Sequence, residues 1–331
     1  MDEKREFQGA TVAASGRSTS AGSRIDGLGA YRPVTVVGNE ESATTAGVSA
    51  DWISKRMGVE ERRRATVTET VVTMAVAAGK EALADCGATA DDVDVVLLAT
   101  CSMPSPMPNG AASVAAAIGC TASAGFDLNA ACSGFCHGLA VADALVRAGT
   151  ARSVLVIGSE RMTDWVAPED RNTGPIFADG AAAAFVVPSS VPTIFPVAWG
   201  SDGAQSDLIK IPGETGRMEM AGPKVFRWTT SELAAVMQVA CERAGLDPAD
   251  LRAFVPHQAN LRIIDALRQS MDTSDLVTAT DVIKAGNTSA ASVPLALHAL
   301  RRRGDVSPGD PVLLLGFGAG LSYAAQVVLC P

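Results

Sequence analysis

From residue 23 onward, hydrophobic positions fall into two kinds of segment, short continuous apolar runs and longer stretches with helical spacing. The runs at 93–100 and 153–160 each contain a continuous apolar stretch, which is typical of strands covered on both faces. A third run at 181–187 also predicts a strand, and the stretches 67–87 and 133–149 predict helices that close on glycine. This alternation predicts a layered α/β fold and not a sandwich or a bundle.

The pattern returns at a long period. ADDVDVVLLATCS is echoed by PADLRAFVPHQAN, SVLVIG by PVLLLG, and CSGFCHGLAVADALVRAG by TSAASVPLALHALRRRG, at an offset of about 155 to 158 residues. Three echoes in the same order favour a gene duplication. We therefore predict a polar, disordered leader at 1–22, an N-terminal half at 23–190 and a C-terminal half at 191–331.

Composition narrows the classes of function. The 331 residues include 27 Lys and Arg against 36 Asp and Glu, and the net charge of -9 disfavours broad attraction to nucleic acid or to an anionic membrane. No apolar run approaches the roughly 20 residues that a membrane span needs. Seven cysteines without close-set CxxC pairs argue against disulfides and structural zinc, so we expect reduced thiols, a cytoplasmic location and no metal.

In each half a strand runs into a tight polar stretch and then a helix. That stretch is LNAACSGF, with Cys132, in the first half and AGNTSAAS, with Asn287, in the second. A cysteine at a helix N-terminus lies near unpaired backbone N–H groups and the positive end of the helix dipole, which favour the thiolate. Cys132 is therefore a candidate nucleophile.

Of the three histidines, only His257 is expected at a strand end. In VPHQAN it follows an apolar strand, so its ring is expected at the carboxyl edge of a sheet, where α/β proteins place their sites. His137 and His298 fall within predicted helices and are expected to be structural, as is Cys136.

The C-terminal segment LLLGFGAGLSYAA carries a glycine loop after a strand. Too little chain follows it for a phosphate-binding helix and an acidic ribose partner, so a dinucleotide site is not expected. Glycine there would instead bring the backbone close to a reacting atom and direct an N–H at it, as an oxyanion hole requires.

Together, Cys132 in ACSGF, His257 in VPHQANLRI, Asn287 in GNTSAAS and the GFGAG loop resemble β-ketoacyl-[acyl-carrier-protein] synthase III, a condensing enzyme of the thiolase superfamily. The resemblance covers about residues 23–331 and implies a thiolase-like fold, with two duplicated α/β halves in a layered αβαβα architecture. Elongating ketoacyl synthases resemble this chain less, because they pair cysteine with two histidines and this chain has Asn287 at the third position. Chalcone synthases share Cys, His and Asn but carry proline where this chain has Ala319.

The resemblance implies a coenzyme A site. ADWISKRMGVEERRR is similar to the segment that holds coenzyme A, with Trp52 and Arg171 on the two faces of the adenine and Arg56 at a phosphate. Asn260 corresponds to a residue near the pantetheine arm and Arg262 to one at the tunnel mouth. Coenzyme A thioester is then a substrate, and no cofactor is expected.

The acyl end of the site is implied in the same way. Phe317 is expected to wall the site against water, and Met107 falls near the residue that crosses the dimer interface to close the partner's acyl pocket. Pro223 stands where some members have asparagine, which removes a polar contact to coenzyme A.

The implied reaction is a ping-pong Claisen condensation that initiates fatty-acid synthesis. Cys132 takes the acyl group from coenzyme A while the backbone N–H groups of Cys132 and Ala319 hold the oxyanion. Malonyl on acyl-carrier protein then enters, and His257 and Asn287 hold its carbonyl during loss of carbon dioxide. The carbanion attacks the acyl-cysteine to give a 3-ketoacyl product.

Two kinds of partner are expected. A homodimer is predicted because the apolar strand at 153–160 would otherwise leave an exposed pairing edge. Acidic acyl-carrier protein is predicted to dock on an arginine patch around Arg262 and Arg268, together with Arg227.

Three alternatives stay open. A starter-unit synthase of a polyketide pathway would use the same chemistry with another acyl group. A same-fold acyltransferase would pass the acyl group to a hydroxyl or amine, against which His257 and Asn287 weigh. A non-enzymatic partner subunit would usually lack Cys132.

Overall fold

Two five-stranded sheets of the same topology form the framework of the computed structural model, which describes residues 19–213, 216–273 and 275–331. Residues 1–18 of the predicted leader lie outside the described residues. The first strand begins at Gly22, and the Ser20 N–H already donates to the Arg147 carbonyl at 3.2 Å. The last residues of the predicted leader are therefore part of the fold.

The first half contributes seven strands and five helices. In chain order they are β1 (Gly22–Tyr31), β2 (Thr35–Gly38), α1 (Asn39–Ala46), α2 (Ala50–Met57), β3 (Glu61–Arg64), α3 (Val71–Asp85), β4 (Val95–Ala99), α4 (Gly110–Ile118), β5 (Ala124–Leu128), α5 (Gly134–Arg147), β6 (Val154–Arg161) and β7 (Asp179–Ser189).

The described part of the second half contributes the remaining elements. They are β8 (Ala198–Gly200), β9 (Ile209–Lys210), β10 (Glu219–Met220), α6 (Gly222–Ala244), β11 (Ala253–Pro256), α7 (Leu261–Gln269), β12 (Val277–Thr278), α8 (Val282–Ala285), α9 (Ser292–Arg303), β13 (Pro311–Phe317) and β14 (Tyr323–Leu329).

The two sheets repeat one another strand for strand. Their orders are β5-β4-β6-β7-β1 and β12-β11-β13-β14-β8. In each, the first two pairings are parallel and the last two antiparallel. The structure is thus two α/β halves of one topology, as the echoes in the sequence predict.

Alternation of side chains along the strands builds five layers. Leu98 and Ile157 face an outer core with α3 and α4, whereas Leu97 and Val156 face inward. The inward residues of both sheets pack on α5 and α9, which lie between the sheets, and the other face of the second sheet packs on α6 and α7. The order is therefore αβαβα.

Local chemistry sets where the predicted helices begin and end. The helix predicted over 67–87 begins only at Val71, because the Thr70 hydroxyl accepts the Thr73 N–H at 3.1 Å and closes a capping box. It ends before Gly87, which adopts a left-handed φ of 72°.

The strand expected to offer a free edge is in fact interior. β6 lies between β4 and β7 and is hydrogen-bonded on both sides, so the reason given above for a dimer is wrong. The outermost strand beside β4 is β5, where Phe126 keeps 38% of its surface exposed. A continuous apolar run marks a strand covered on both faces, which is typical of the sheet centre and not of its edge.

None of the helices in the described ranges is long and apolar enough to cross a membrane.

Candidate active site

Two equivalent turns, one from each half, meet between the sheets. The 3₁₀ turn Ala131–Ser133 precedes α5, and the turn Ser289–Ala291 precedes α9. Each begins with a left-handed residue, Ala131 at φ 47° and Ser289 at φ 49°. Asparagine oxygens stabilise both, since Asn129 accepts the N–H of Ala131 at 3.2 Å and Asn287 that of Ser289 at 2.9 Å.

A cavity of about 250 Å³ lies where these turns meet. All three predicted catalytic residues, Cys132, His257 and Asn287, line it, and so do Phe317 and Ala319 of the glycine loop. Its remaining wall is mostly apolar and includes Cys101, Met162, Ile176, Phe177, Met218, Met220, Val225 and Ile263. The structure therefore brings residues from both halves to one site.

The glycine loop lies directly against the candidate nucleophile, Cys132. A Cβ atom at Gly318 would lie 2.8 Å from the Cys132 Cβ and 3.1 Å from its Sγ. Only a residue without a side chain can lie this close. The loop runs straight on into β14 with no intervening α-helix, so it has no helix N-terminus for a phosphate.

Burial raises the pKa of the Cys132 thiol to about 12, although the Ser289 hydroxyl lowers it. The helix N-terminus was expected to favour the thiolate, but desolvation of the sulfur outweighs this effect. α5 begins only at Gly134, and the largely apolar cavity wall takes hydration away from a charged sulfur. Removal of the thiol proton needs a further group.

His257 follows β11 and is held by one serine. Its Nδ1 lies 2.7 Å from Ser292 Oγ, which accepts the Gln258 N–H at 3.3 Å. The single Ser292 hydroxyl proton is then free to point at Nδ1, which leaves the proton of the ring on Nε2. Burial lowers the pKa of His257 to about 3, so the imidazole is neutral near pH 7. It also meets the Phe317 ring edge-on, with 5.2 Å between centroids.

Asn287 is fixed through its backbone. Its N–H donates to the Ile176 carbonyl at 2.8 Å, and its own carbonyl accepts the Ala178 N–H at 2.9 Å. Because Oδ1 accepts the Ser289 N–H, the amide nitrogen is the donor that this side chain offers to the cavity.

A second cavity of about 250 Å³ lies beside the first. The two share Ile176, Met220, Gly222 and Asn260 in their walls, so they adjoin. The outer cavity is lined by the predicted coenzyme A residues Trp52 and Arg56, and by Asn172, Pro223, Phe226 and Arg262. Pro223 stands in the first turn of α6, where a missing N–H costs no helical hydrogen bond.

Asn260 and Arg262 occupy the start of α7. The Asn260 side chain caps this helix by accepting the Ile263 N–H at 3.0 Å, and Asn260 lines both cavities. The Arg262 guanidinium lies 5.5 Å from the centre of the Phe226 ring.

Four predicted residues lie outside both cavities of this chain. Arg171 is exposed, and its neighbour Asn172 lines the outer cavity instead. Met107 is 81% exposed. Arg227 is exposed on α6 beside Lys224, while Arg268 is half-buried on α7. The roles given to these four residues stay predictions.

Sequence reasoning missed several residues of the site. Ser292 contacts the His257 ring, the Ser289 hydroxyl donates to Glu160, and Glu160 lies buried behind Cys101. Both serines stand in the GNTSAAS motif, so their proximity to Asn287 was the available signal. Glu160 ends an apolar run and carried none.

The described residues contain no group of three or more His, Cys, Asp or Glu side chains that could hold a metal ion.

Comparison with known proteins identifies the family of this chain. The family profiles described as "3-Oxoacyl-[acyl-carrier-protein (ACP)] synthase III" and its C-terminal domain match residues 126–203 and 241–330. The chain is 46% identical over 313 residues to β-ketoacyl-[acyl-carrier-protein] synthase III 4 of Streptomyces coelicolor, covering 94% of this chain and 99% of that protein.

Solved structures agree with this. The priming β-ketosynthase of the R1128 polyketide pathway is similar with a TM-score of 0.92 and 41% identity, over 95% of this chain and 97% of that one. The 3-oxoacyl-[acyl-carrier-protein] synthase III of Aquifex aeolicus gives a TM-score of 0.89 and 34% identity, over 93% and 100%.

Proposed function

The chain belongs to the 3-oxoacyl-[acyl-carrier-protein] synthase III family, and we propose on this basis that it starts fatty-acid synthesis by decarboxylative condensation of an acyl-coenzyme A with malonyl-acyl-carrier protein. The observation that carries the proposal is that Cys132, His257 and Asn287 line one cavity, and the cavity that adjoins it is the proposed entry path for both thioesters. It is an acyltransferase, and the thioester is a substrate and not a cofactor.

The outer cavity supports a coenzyme A site. Trp52 offers a flat face for a base, and Arg56 and Arg262 offer guanidinium groups for phosphates. Asn260, in the wall shared by both cavities, is placed for the pantetheine arm. Arg171 would reach the adenine only from the rim, since its neighbour Asn172 lines the cavity.

In the first half-reaction the sulfur of Cys132 attacks the thioester carbonyl. The backbone N–H groups of Cys132 and Ala319 are proposed to hold the resulting oxyanion, and Gly318 leaves room for it. Coenzyme A then leaves, and Phe317, which is 2% exposed, shields the acyl-enzyme from water.

In the second half-reaction the malonyl thioester enters by the same path. Nε2–H of His257 and the amide nitrogen of Asn287 donate to its carbonyl, so that loss of carbon dioxide leaves a stabilised enolate. Neither group needs a net charge, which fits the depressed pKa of His257. The carbanion then attacks the acyl-Cys132.

Separation of the two half-reactions tests the assignment. Asn287→Ala should retain much of the acyl transfer to Cys132 but lose decarboxylation and condensation together, by about 2.7 to 4 kcal/mol for one lost oxyanion donor. Single-turnover acylation with labelled acyl-coenzyme A, read beside carbon dioxide release, gives both rates. Normal decarboxylation without acylation would instead favour a simple acyltransferase.

Mapping of the labelled peptide identifies the nucleophile. Acyl label is expected on Cys132 alone and should vanish in Cys132→Ala. Label on Cys101, which also lines the cavity, with Cys132 free would contradict the assignment.

A second candidate is a priming ketosynthase of a polyketide pathway, which the similarity to the R1128 enzyme favours. The chemistry is the same, and the acyl group and carrier differ. Intact-protein mass spectrometry after incubation with a panel of acyl-coenzyme A thioesters names the starter by the retained mass. Comparing fatty-acid and polyketide malonyl carriers as second substrates then separates the pathways.

Docking of the carrier protein is proposed at the mouth of the path. Arg262 lines the outer cavity and is exposed on α7. Arg227 is exposed on α6 outside that cavity, with Lys224 beside it, and Arg268 lies further along α7. A local basic patch attracts an acidic carrier despite the net charge of -9, because fields are screened over about 8 to 10 Å at physiological salt. Arg262→Glu should raise the Michaelis constant for malonyl-carrier at low salt. An unchanged Michaelis constant would mean that these arginines are solvated surface charges with no part in docking.

A homodimer is proposed through the β5 edge and not through β6. The outer side of β5 and the exposed Met107 offer a surface that a second copy could cover. Met107 would then act in the partner's acyl pocket. The seven free cysteines support a reducing, cytoplasmic setting.

A further inference from the structure

Glu160 is a fully buried carboxylate near the end of β6, where the two halves of the fold meet. From the segment after β4 its oxygens accept the Thr100 hydroxyl at 3.0 Å, the Cys101 N–H at 3.1 Å and the Ser102 hydroxyl. From the second half they accept the Ser289 hydroxyl at 2.9 Å. A carboxylate this deep is costly to bury unless hydrogen bonds replace its water, and here the donors come from both halves.

The internal symmetry of the fold gives Glu160 a counterpart in the glycine loop. β6 and β13 are the middle strands of their two sheets. Alignment of SVLVIG in β6 with PVLLLG in β13 pairs Gly158 with Gly316. Two residues further along, the same alignment pairs Glu160 with Gly318. The glutamate therefore stands where the other half has the glycine that lies against Cys132.

Each of these two strands supports the turn of the opposite half. A Cβ atom at Gly316 would lie 2.8 Å from the Ser133 Cα, so the turn before α5 packs on β13. A Cβ atom at Gly158 would lie 2.8 Å from the Ala290 carbonyl oxygen, so the turn before α9 packs on β6. Residues two apart on a strand face the same side, which directs Glu160 at the same turn as Gly158.

The two turns differ in what meets their second residue. At Gly318 a Cβ atom would lie 3.0 Å from the Cys132 nitrogen, and the missing side chain leaves room there for the proposed oxyanion. The counterpart of Cys132 in the other turn is Ala290, and its N–H donates to a Glu160 oxygen at 3.4 Å. A carboxylate oxygen of the protein thus takes the place that substrate oxygen is proposed to take in the first half.

Ser289 connects this carboxylate to Asn287. The Ser289 hydroxyl donates to Glu160, and the Ser289 N–H donates to Oδ1 of Asn287 at 2.9 Å. Ser289 has a left-handed φ of 49°, which is unfavourable for a residue with a side chain and persists only where its surroundings hold it. The bond to Glu160 supplies such a hold. It keeps the Ser289 N–H on Oδ1 and leaves the amide nitrogen of Asn287 for the cavity.

We propose that Glu160 is a positioning residue for Asn287: its carboxylate holds the turn at Ser289, so that the Asn287 amide nitrogen stays directed at the malonyl carbonyl. This rests on the proposed function, because malonyl decarboxylation is the step concerned. Glu160 acts through Ser289 and donates nothing to substrate. Loss of the carboxylate should therefore slow the second half-reaction and spare the first.

Glu160→Leu removes the acceptor and keeps a side chain of similar length. Carbon dioxide release from malonyl-carrier should fall about 10- to 100-fold, because a misplaced donor stabilises the enolate less well. The fall should appear in kcat and not in KM, since this donor acts in the transition state. Single-turnover acylation of Cys132 should stay within about threefold of the wild-type rate.

Glu160→Gln tests whether the hydrogen bonds or the charge matter. Glutamine keeps one oxygen for the Ser289 hydroxyl, and its NH₂ group can donate to the hydroxyl oxygens of Thr100 and Ser102. Carbon dioxide release should therefore stay within about threefold of wild type. A loss as large as in Glu160→Leu would mean that the negative charge is what matters and would overturn the positioning role.

Ser289→Ala cuts the connection to the turn and leaves the bonds of Glu160 to residues 100–102 in place, so it serves even if Glu160→Leu does not fold. Carbon dioxide release should fall about five- to tenfold for one lost neutral hydrogen bond, with acylation near the wild-type rate. The double variant Glu160→Leu, Ser289→Ala should be no slower than Glu160→Leu alone. A further fall in the double variant would mean that the two residues act separately and would overturn the connection.

The side-chain amide of Asn287 gives a readout that does not depend on turnover. Its ¹⁵N NMR signal is assigned by its loss in Asn287→Ala. The signal should move in Glu160→Leu and in Ser289→Ala and keep the wild-type position in Glu160→Gln. An unmoved signal in Glu160→Leu would contradict the positioning of Asn287.

Glu69→Leu is the matched control. Glu69 is a buried carboxylate that accepts the Tyr31 hydroxyl and the Thr66 N–H, each at 2.7 Å, and it belongs to the wall of neither cavity. This variant should keep the wild-type ratio of carbon dioxide release to acylation. The same selective loss in Glu69→Leu would mean a general effect of buried carboxylates and would overturn the assignment.

Wild type is assayed first for 3-ketoacyl product, and failure there counts against the proposed function. In a working condensing enzyme, a wild-type rate of carbon dioxide release in Glu160→Leu or Ser289→Ala counts against the positioning role alone. An equal fall of both half-reactions in these variants would likewise show a merely structural role for Glu160.

Discussion

At the scale of single residues, the imidazole of His257 has one proton and two nitrogens that could carry it. Ser292 receives the Gln258 N–H and faces Nδ1 at 2.7 Å, so it directs the ring proton to Nε2, the nitrogen that the cavity needs as a donor. A serine in the first turn of α9 thus sets the chemistry of a histidine that follows β11, 35 residues earlier in the chain.

Ser292→Ala is expected to disturb this tautomer. Loss of one neutral hydrogen bond, about 1 kcal/mol, should slow malonyl decarboxylation about five- to tenfold while Cys132 acylation stays near the wild-type rate. Imidazole ¹⁵N NMR reads the tautomer directly, and the chain has only 3 histidines to assign. Ser292→Thr should restore both the spectrum and the rate. An unchanged tautomer in Ser292→Ala would contradict this account.

Burial of neutral His257 also predicts acid sensitivity of the fold. The unfolded chain protonates this histidine near pH 6.5 but the folded protein only near 3, so between these values the unfolded state binds more protons and stability falls as pH falls. From pH 7 to 5 the loss should be about 2 kcal/mol. In His257→Gln, the loss of unfolding free energy between pH 7 and pH 5, measured with urea, should be about 2 kcal/mol smaller than in wild type. His298→Gln, which removes an imidazole 3.5 Å from Glu81, should keep most of the wild-type acid sensitivity.

At the scale of elements, the glycine loop between β13 and β14 depends on close approach. Gly318 has φ 178°, an extended conformation open to any residue, so contact with Cys132 and not backbone strain excludes a side chain. The loop can therefore fold with alanine there, but the Cys132 side chain must move.

Gly318→Ala should retain the fold with a loss of about 1 to 3 kcal/mol in stability, because the added methyl lies 2.8 Å from the Cys132 Cβ. Acylation should fall at least about 10²-fold, since one oxyanion donor is displaced with the loop. Thermal unfolding and single-turnover acylation measure the two effects. Gly203→Ala, where no atom lies within 4 Å of the new methyl, should change neither. A wild-type rate of acylation in Gly318→Ala would contradict the close contact between Gly318 and Cys132.

At the scale of the whole molecule, the duplicated halves share a middle layer, and β5 is an outermost strand of the first sheet. β5 carries Phe126 on that edge, and β4 covers only its inner side. An unpaired edge with an exposed aromatic residue is the kind of surface that symmetric pairing of two copies removes.

Phe126→Glu should therefore yield monomers, because the carboxylate would be desolvated against a second copy. Sedimentation equilibrium should give a mass near 33.9 kDa for the variant and about twice that for wild type. Val67→Glu, at a side chain 85% exposed elsewhere on the surface, is the control and should remain dimeric. A wild-type monomer at micromolar concentration that still condenses would rule out the dimer as a requirement.

Local spacing in the sequence determined much of this protein. The apolar runs predicted β4, β6 and β7, and the echoes predicted two halves of one topology, because strand and helix patterns depend on neighbouring residues. The motifs around Cys132, His257 and Asn287 singled these residues out, because their residue types and spacing match a known chemistry.

Tertiary structure decided what depends on distant residues and on water. β6 is interior and β5 is an edge strand, because pairing order is set by the whole sheet and not by the hydrophobicity of one run. The Cys132 thiol is hard to ionise although it lies near a helix N-terminus, because desolvation depends on everything packed around the sulfur. Glu160 meets Ser289 only because the two halves close on each other, which brings residues 129 positions apart within one hydrogen bond.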